Sequence, residues 1–296
     1  MLNKNMIYRH YIELAKPRIA FFCILMTAGG IVLAPGNIVI KSFIFALLGT
    51  ALSVASANAF NMIYERNTDK LMRRTKFRPL PMGKISVSQA CIFAIILCCI
   101  SIFLLIYYVN LLTGLLSLLA ILAYSLVYTP LKYKTPLALV IGAIPGAIPP
   151  LLGWTAVANK IDAAGLALFG VLFAWQMPHF IAIAIYHQED YAKAGIKVVS
   201  LIRGERIAKI QAFAWSLVLV FFTISLYLLE VGGKFYLATA IILGFWFVRL
   251  SILGLKKEML PNWPRKFFLA SLVYLPLLVI GLVADRFFEI FIIKYF

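Results

Sequence analysis

The sequence predicts an all-α, polytopic membrane protein, and three observations carry that prediction. Of its 296 residues 63% are hydrophobic and 13% charged, with a mean hydropathy of +0.96, far from the composition of domains that fold in water. Apolar stretches of about 20 residues, enough to cross roughly 30 Å of hydrocarbon, recur from end to end and leave no room for a separate soluble domain. These stretches are unbroken rather than alternating, so their backbone polar groups must be satisfied within helices and not in a barrel. A single membrane-embedded domain over residues 1–296 is expected.

Apolar windows bounded by Pro, Gly and charge place nine spans near 17–36, 42–64, 87–109, 111–129, 137–157, 163–186, 208–230, 235–255 and 267–293. The N-terminal segment and the connections after spans two, four, six and eight, with their flanks, hold 23 of the 28 Lys and Arg. The positive-inside rule makes that side cytoplasmic, with the N-terminus inside. The first apolar run is long enough to span, and no cleavable signal or transit segment precedes it, which favours a multi-pass protein of the bacterial cell inner membrane.

The net charge of +17 raises the question of nucleic acid. The cations are divided among short juxtamembrane loops without a contiguous arm or motif, so no nucleic-acid partner is expected. Cys23, Cys91, Cys98 and Cys99 lie inside apolar runs without metal-ligand spacing and read as small buried hydrophobes.

Span two ends SANAFNMIYERNTDKLMRRTKFRPLP. If the helix continues, Asn58, Asn61, Glu65, Asp69 and Arg73 follow at three- and four-residue spacing along one face. Acids at a helix C-terminus oppose the dipole, and a divalent cation would reverse that penalty. Mg2+ takes oxygen ligands, keeps waters, and bridges one or two carboxylates to substrate phosphates, which suits a sparse Asn/Glu/Asp stripe. The alternative is a solvated helix end in which Glu65 and Asp69 pair with nearby Arg and Lys. Asn58 and Asn61 inside an apolar run weigh against it, because amides there usually face a polar cavity. Arg73, Arg74, Lys76 and Arg78 could neutralise a diphosphate.

Span six runs FAWQMPHFIAIAIYHQEDYAKAG and also leaves acids, Glu189 and Asp190, on the cytoplasmic side. Two spans of like parity, four apart, end alike, which hints at a repeat of four helices plus a ninth. His179 and His187, eight apart, share a face, and Trp175, Gln176 and Pro178 give this helix polarity and a kink that lipid does not require. The histidines read either as packing residues or as ligand contacts. In YSLVYTPLKYKTP, Tyr128, Lys132 and Lys134 serve either as interfacial anchors or as diphosphate contacts. The run IGAIPGAIPPLLGW breaks span five with Gly and Pro, allowing close helix approach or a widened cavity.

Taken together, AKPRI (15–19), NMIYERNTDKLMRRTKFRPLP (61–81), YTPLKYKTP (128–136), GAIPGAIPPLLGW, WQMPHF (175–180), EDYAKAG (189–195) and RKFFLASLVYLPLL (265–278) resemble the protohaem IX farnesyltransferase family of the UbiA-type intramembrane prenyltransferase superfamily. The resemblance covers nearly the whole chain. It implies nine helices around a central cavity and Mg2+-dependent farnesyl transfer from farnesyl diphosphate to the 2-vinyl group of haem b, giving haem O and diphosphate. Association with haem A synthase or terminal oxidase assembly is a further implication. The superfamily's N-x-x-x-D-x-x-x-D motif maps to Asn61, Glu65 and Asp69, with Glu65 in place of the middle Asp. Its second motif usually has spaced aspartates, where this chain has adjacent Glu189 and Asp190.

The expected assignment follows. Asn61, Glu65, Asp69 and Asp190 are catalytic, and together with Glu189 they hold Mg2+. Arg73, Arg74, Lys132, Lys134, Tyr128, His179, His187, Trp175 and Gln176 contact substrate. One rival is an intramembrane prenyltransferase acting on a quinone-head aromatic or a chlorophyll-type acceptor, against which the histidines favour haem. A transporter with a cytoplasmic-side cation site is the other, although transporters bind near the midplane and these acids cluster at one surface.

Overall fold

A computed structural model of the chain describes residues 4–256 and 262–295, and every regular element among them is helical. Among the described residues, eight helices are long and apolar enough to cross a membrane. A ninth crossing arises if the bent pair Tyr8–Ala15 and Pro17–Leu33, angled at 48°, forms one span. The chain divides into two compact units, residues 1–161 with 189–197, and residues 162–188 with 198–296.

The first unit contains α1 (Lys4–Ala15), α2 (Pro17–Leu33), α3 (Ile40–Glu65), α4 (Val87–Tyr108), α5 (Leu111–Leu122), α6 (Thr129–Leu131) and α7 (Ala138–Ala158). Local chemistry sets the boundaries. Pro17 at the first helical position starts α2. Ser86 and Gln89 close a capping box on α4, and the Asn110 side chain accepts from Thr113 N–H at 2.8 Å to start α5. α4 buries Ala90, Ala94, Ser101 and Leu105 while turning Ile92, Ile95, Ile96 and Phe103 outward. Small residues inside and large apolar ones outside is the pattern of a helix whose outer solvent is lipid.

Small hydroxyls join these helices. Ser56 donates to Ala94 O at 2.8 Å, Ser101 to Gly49 O at 2.7 Å, and Ser117 to Ser53 Oγ at 2.8 Å. α2 packs tightly against α7, where a Cβ added to Gly153 would lie 2.0 Å from the Thr27 carbonyl oxygen and one on Gly30 would lie 2.1 Å from that of Pro150. Only glycine permits this contact, and Thr27 Oγ1 seals it by donating to Pro149 O at 3.0 Å. α7 therefore belongs with the first unit, whereas a repeat of spans one to four and five to eight would have put span five in the second.

The second unit contains α8 (Ala163–Tyr186), α10 (Val199–Ile202), α11 (Glu205–Leu228), α12 (Lys234–Leu253) and α13 (Trp263–Tyr295). Asp162 caps α8 by accepting from Gly165 N–H at 3.0 Å. Asp285 accepts the Tyr236 N–H of α12 at 2.6 Å, and the Tyr236 hydroxyl donates to Thr223 O at 2.8 Å. Trp263, Phe267 and Phe247 stack in series at 4.9 and 4.7 Å between ring centroids. Short α9 (Gln188–Lys193) carries the acids 189 and 190 as its own element after α8 has ended at Tyr186.

Candidate active site

α3 brings Asn58, Asn61 and Glu65 to one face at three- and four-residue spacing, and all three are buried. Asn58 Nδ2 donates to the Ala15 carbonyl at 3.4 Å, so this amide ties α3 to the end of α1.

Asn61 is saturated. Its Nδ2 donates to Glu65 Oε1 and to Thr129 Oγ1 at 3.1 Å, and its Oδ1 accepts from Lys16 Nζ at 3.2 Å. Lys16 reaches it from the break between α1 and α2, where it adopts a left-handed backbone with φ of 48°, an uncommon conformation for a residue with a Cβ. Thr129 is placed by the turn before it, in which residues 123–128 widen into a π-helix, and its hydroxyl donates to Tyr124 O at 2.8 Å.

The α3 helix stops at Glu65, and a short 3₁₀ turn, Asp69–Leu71, follows. The stripe of a continued helix is thus replaced by a loop. Asp69 is completely buried, and Arg78 Nη1 donates to both of its carboxylate oxygens, at 3.0 and 2.8 Å. The same Nη1 lies 3.8 Å from Glu65 Oε2, and Thr75 Oγ1 donates to the Asp69 carbonyl at 2.9 Å to close the loop. Glu65 forms a close ion pair with Lys132.

Lys132 Nζ also lies over the rings of Tyr133 and Tyr128, 5.4 and 5.9 Å from their centroids. Burial of its ammonium, with the nearby charge of Lys16 adding to it, pulls Lys132 down to about 7. Tyr133 is fixed through a 2.7 Å hydrogen bond to Thr68, whose hydroxyl donates to Glu65 O at 3.0 Å.

The fold thus unites Asn61, Glu65, Asp69 and Lys132 of the expected site, with Tyr128 beside them. Arg73, Arg74 and Lys134 are exposed, and none forms an ion pair with these acids among the described residues. The segment 189–197 shares this unit and is tied to it where Lys197 N–H donates to Lys132 O at 2.9 Å. In that segment Glu189 is exposed and Asp190 half-buried.

The sequence reading missed Lys16 and Thr129 as site residues and gave Arg78 only a phosphate role. Lys16 lies in AKPRI, where a cation before a helix-starting proline is the available signal. Arg78 is nine residues from Asp69, a spacing set by a loop and invisible to helical periodicity.

In the second unit, His179 Nδ1 lies 2.7 Å from Ser271 Oγ, and Trp175 Nε1 donates to Ser271 O at 2.7 Å. Gln176 Nε2 donates to Leu172 O at 3.1 Å. His187 is half-buried, edge-on to Tyr186 at 4.8 Å.

No three His, Cys, Asp or Glu side chains converge as a closed metal cage among the described residues. The donors that do converge are two carboxylates and an amide, all oxygen. That set suits a hard cation whose remaining ligands come from water and phosphate, rather than zinc or a softer metal.

A profile of the UbiA prenyltransferase family matches residues 22–272. The chain is similar to a protohaem IX farnesyltransferase of Myxococcus xanthus, 42% identical over 275 residues that cover 93% of this chain and 94% of that one. A second of that name, from Sorangium cellulosum, is 48% identical over 80% of this chain and 85% of its own. Among solved structures, a UbiA homologue from Archaeoglobus fulgidus bound to GPP and Mg2+ shares the fold, with a TM-score of 0.63 at 20% identity over 93% of this chain and 99% of that one. With most of the chain matched and relatives well above 30% identity, the chain belongs to the UbiA prenyltransferase family and, within it, to the protohaem IX farnesyltransferases.

Proposed function

We propose that this protein transfers the farnesyl group of farnesyl diphosphate to the 2-vinyl group of haem b, giving haem O and diphosphate, in a Mg2+-dependent reaction at the cytoplasmic face of a bacterial inner membrane. One observation carries the reading: two buried carboxylates, Glu65 and Asp69, are held in place by Lys132 and Arg78, with Lys16 alongside. The names of the curated relatives support the substrates. The Mg2+ and GPP of the Archaeoglobus homologue support the metal, and the distribution of Lys and Arg supports the orientation.

Glu65, Asp69 and Asn61 are the residues that would hold Mg2+, whose charge when bound makes diphosphate a better leaving group. Binding there requires the carboxylates to exchange their present partners. Lys132 and Arg78, freed from carboxylate, are then cations of the right kind to bind diphosphate oxygens, Arg78 through a planar fork and Lys132 as a point charge. The acids therefore keep both cations folded at the site before substrate arrives. Arg73, Arg74 and Lys134 add a more distant positive field, and Asp190, with exposed Glu189, supplies a second acidic group on the same unit.

As the allylic C–O bond breaks, its electron pair leaves with diphosphate. Tyr128 and Tyr133 offer ring faces that tolerate the farnesyl cation without attacking it. The vinyl π pair of haem b forms the new C–C bond, and water adds to the resulting carbocation and loses a proton, leaving the hydroxyl of haem O. Trp175, Gln176, His179 and His187 are assigned to the acceptor. Passage of haem O to haem A synthase or terminal oxidase assembly completes the reading.

Purified protein incubated with haem b, farnesyl diphosphate and Mg2+ is expected to yield a haem heavier by one farnesyl group and one water, abolished by EDTA. A recovered haem of unchanged mass, with farnesyl transfer to a quinone-head or chlorophyll-type acceptor instead, would contradict the assignment.

A further inference from the structure

His179 is nearly buried, yet its two ring nitrogens have different surroundings. Trp175, one turn earlier on α8, stacks on the imidazole with centroids 4.6 Å apart and planes at 21°, and Phe268 of α13 flanks it at 5.0 Å. With Nδ1 held 2.7 Å from Ser271 Oγ, the ring has no freedom to turn. The Trp175 indole bonds the same residue through its carbonyl, so both aromatic groups are registered on Ser271.

The tautomer follows from the other contact of that serine. Ser271 Oγ lies 2.6 Å from the Phe268 carbonyl oxygen. A carbonyl carries no proton, so an O···O approach this short needs the single hydroxyl hydrogen between the two atoms. Oγ can then only accept from the imidazole, which puts a proton on Nδ1 and, in the neutral ring, a lone pair on Nε2. No hydrogen-bond partner meets Nε2 among the described residues. Neither is it sealed away: the enclosed polar side-chain atoms without partners are His10 Nδ1, Ser125 Oγ, Trp154 Nε1 and Ser200 Oγ.

A clamped neutral imidazole, one N–H spent on a fixed acceptor and the other nitrogen bare and reachable, is how proteins present histidine to a metal. We propose that His179 Nε2 is an axial ligand to the iron of bound haem b, with Ser271 as the positioning residue that fixes its tautomer. The proposal rests on haem being the acceptor substrate. A propionate contact at Nε2 is disfavoured, because an ionised carboxylate only accepts hydrogen bonds and would meet a lone pair. Ligation would anchor the macrocycle at its centre while a peripheral vinyl reacts. His187 lacks this preparation, since no hydrogen bond fixes either of its ring nitrogens among the described residues.

The test is haem b titration into the full-length protein in lipid nanodiscs without farnesyl diphosphate, followed by optical and EPR spectroscopy. Wild type is expected to bind haem with a histidine-ligated spectrum. His179→Ala should lose that signature and regain it when free imidazole is added, a rescue that a packing role would not produce. Ser271→Ala keeps the ligand but removes the acceptor for Nδ1–H, so it should fold normally, stay histidine-ligated and show a shifted iron reduction potential. An unchanged spectrum in His179→Ala, or an unchanged potential in Ser271→Ala, overturns the ligand assignment and leaves the haem reading standing. Failure of wild type to bind haem at all overturns the haem reading itself.

Discussion

Arg78 Nη1 donates to both carboxylate oxygens of Asp69, at 3.0 and 2.8 Å, from nine positions further along the chain. Asp69 is fully buried, and Arg78 is its ion-pair partner there. Removing one member of a buried pair strands the other charge, at a cost of about 3–5 kcal/mol. Arg78→Ala is expected to lower the unfolding midpoint in detergent markedly. Saturating Mg2+ should restore part of the loss, because a divalent cation can take the place of the guanidinium. Denaturation followed by intrinsic Trp fluorescence, with and without Mg2+, checks both halves.

Lys132 and Lys134 are two residues apart, yet only Lys132 is folded against Glu65. Lys132→Ala should raise the KM for farnesyl diphosphate tenfold or more, corresponding to roughly 1.4 kcal/mol of lost binding. Lys134→Ala, at an exposed position, should change it less than twofold. Initial-rate measurements on the two variants compare a folded-in cation with a solvated one on the same loop.

Gly153 faces Thr27 so closely that a methyl group has no space between their helices. Gly153→Ala is expected to destabilise the protein by about 1–3 kcal/mol through forced separation of α2 and α7. Gly83→Ala provides a useful contrast. A Cβ there meets no neighbour, but its φ of 68° disfavours a side chain, so it should cost about 1 kcal/mol from backbone strain alone. Thermal unfolding of both variants separates crowding between helices from local strain.

The positions of the spans were legible because hydrophobic length is a property of consecutive residues. The window 163–186 coincides with α8, and 42–64 falls within α3. The amphipathic α1 was not foreseen, since its apolar face is too short to register as a span. The end of α3 was misread for a related reason: three- and four-residue spacing continued from Glu65 to Arg73, but periodicity carries no signal for where a helix stops. Asp69 still reached the cluster, through a loop, whereas Arg73 was left exposed. Lys16, Arg78 and Thr129 come from three separate segments, and only tertiary structure shows that they meet at Asn61, Glu65 and Asp69. The pairing of each acid with a cation was equally hidden, because composition registers charges and not their partners.

The most direct measurement is Mg2+-dependent farnesyl transfer to haem b by purified Asp69→Asn, a change that keeps the shape of the side chain and removes its charge. Turnover is expected to fall at least a hundredfold, with haem b still bound and the protein still folded. Transfer at the wild-type rate and with the wild-type Mg2+ requirement would show that Asp69 does not hold the metal and that the Asn61, Glu65 and Asp69 cluster is not the reaction centre.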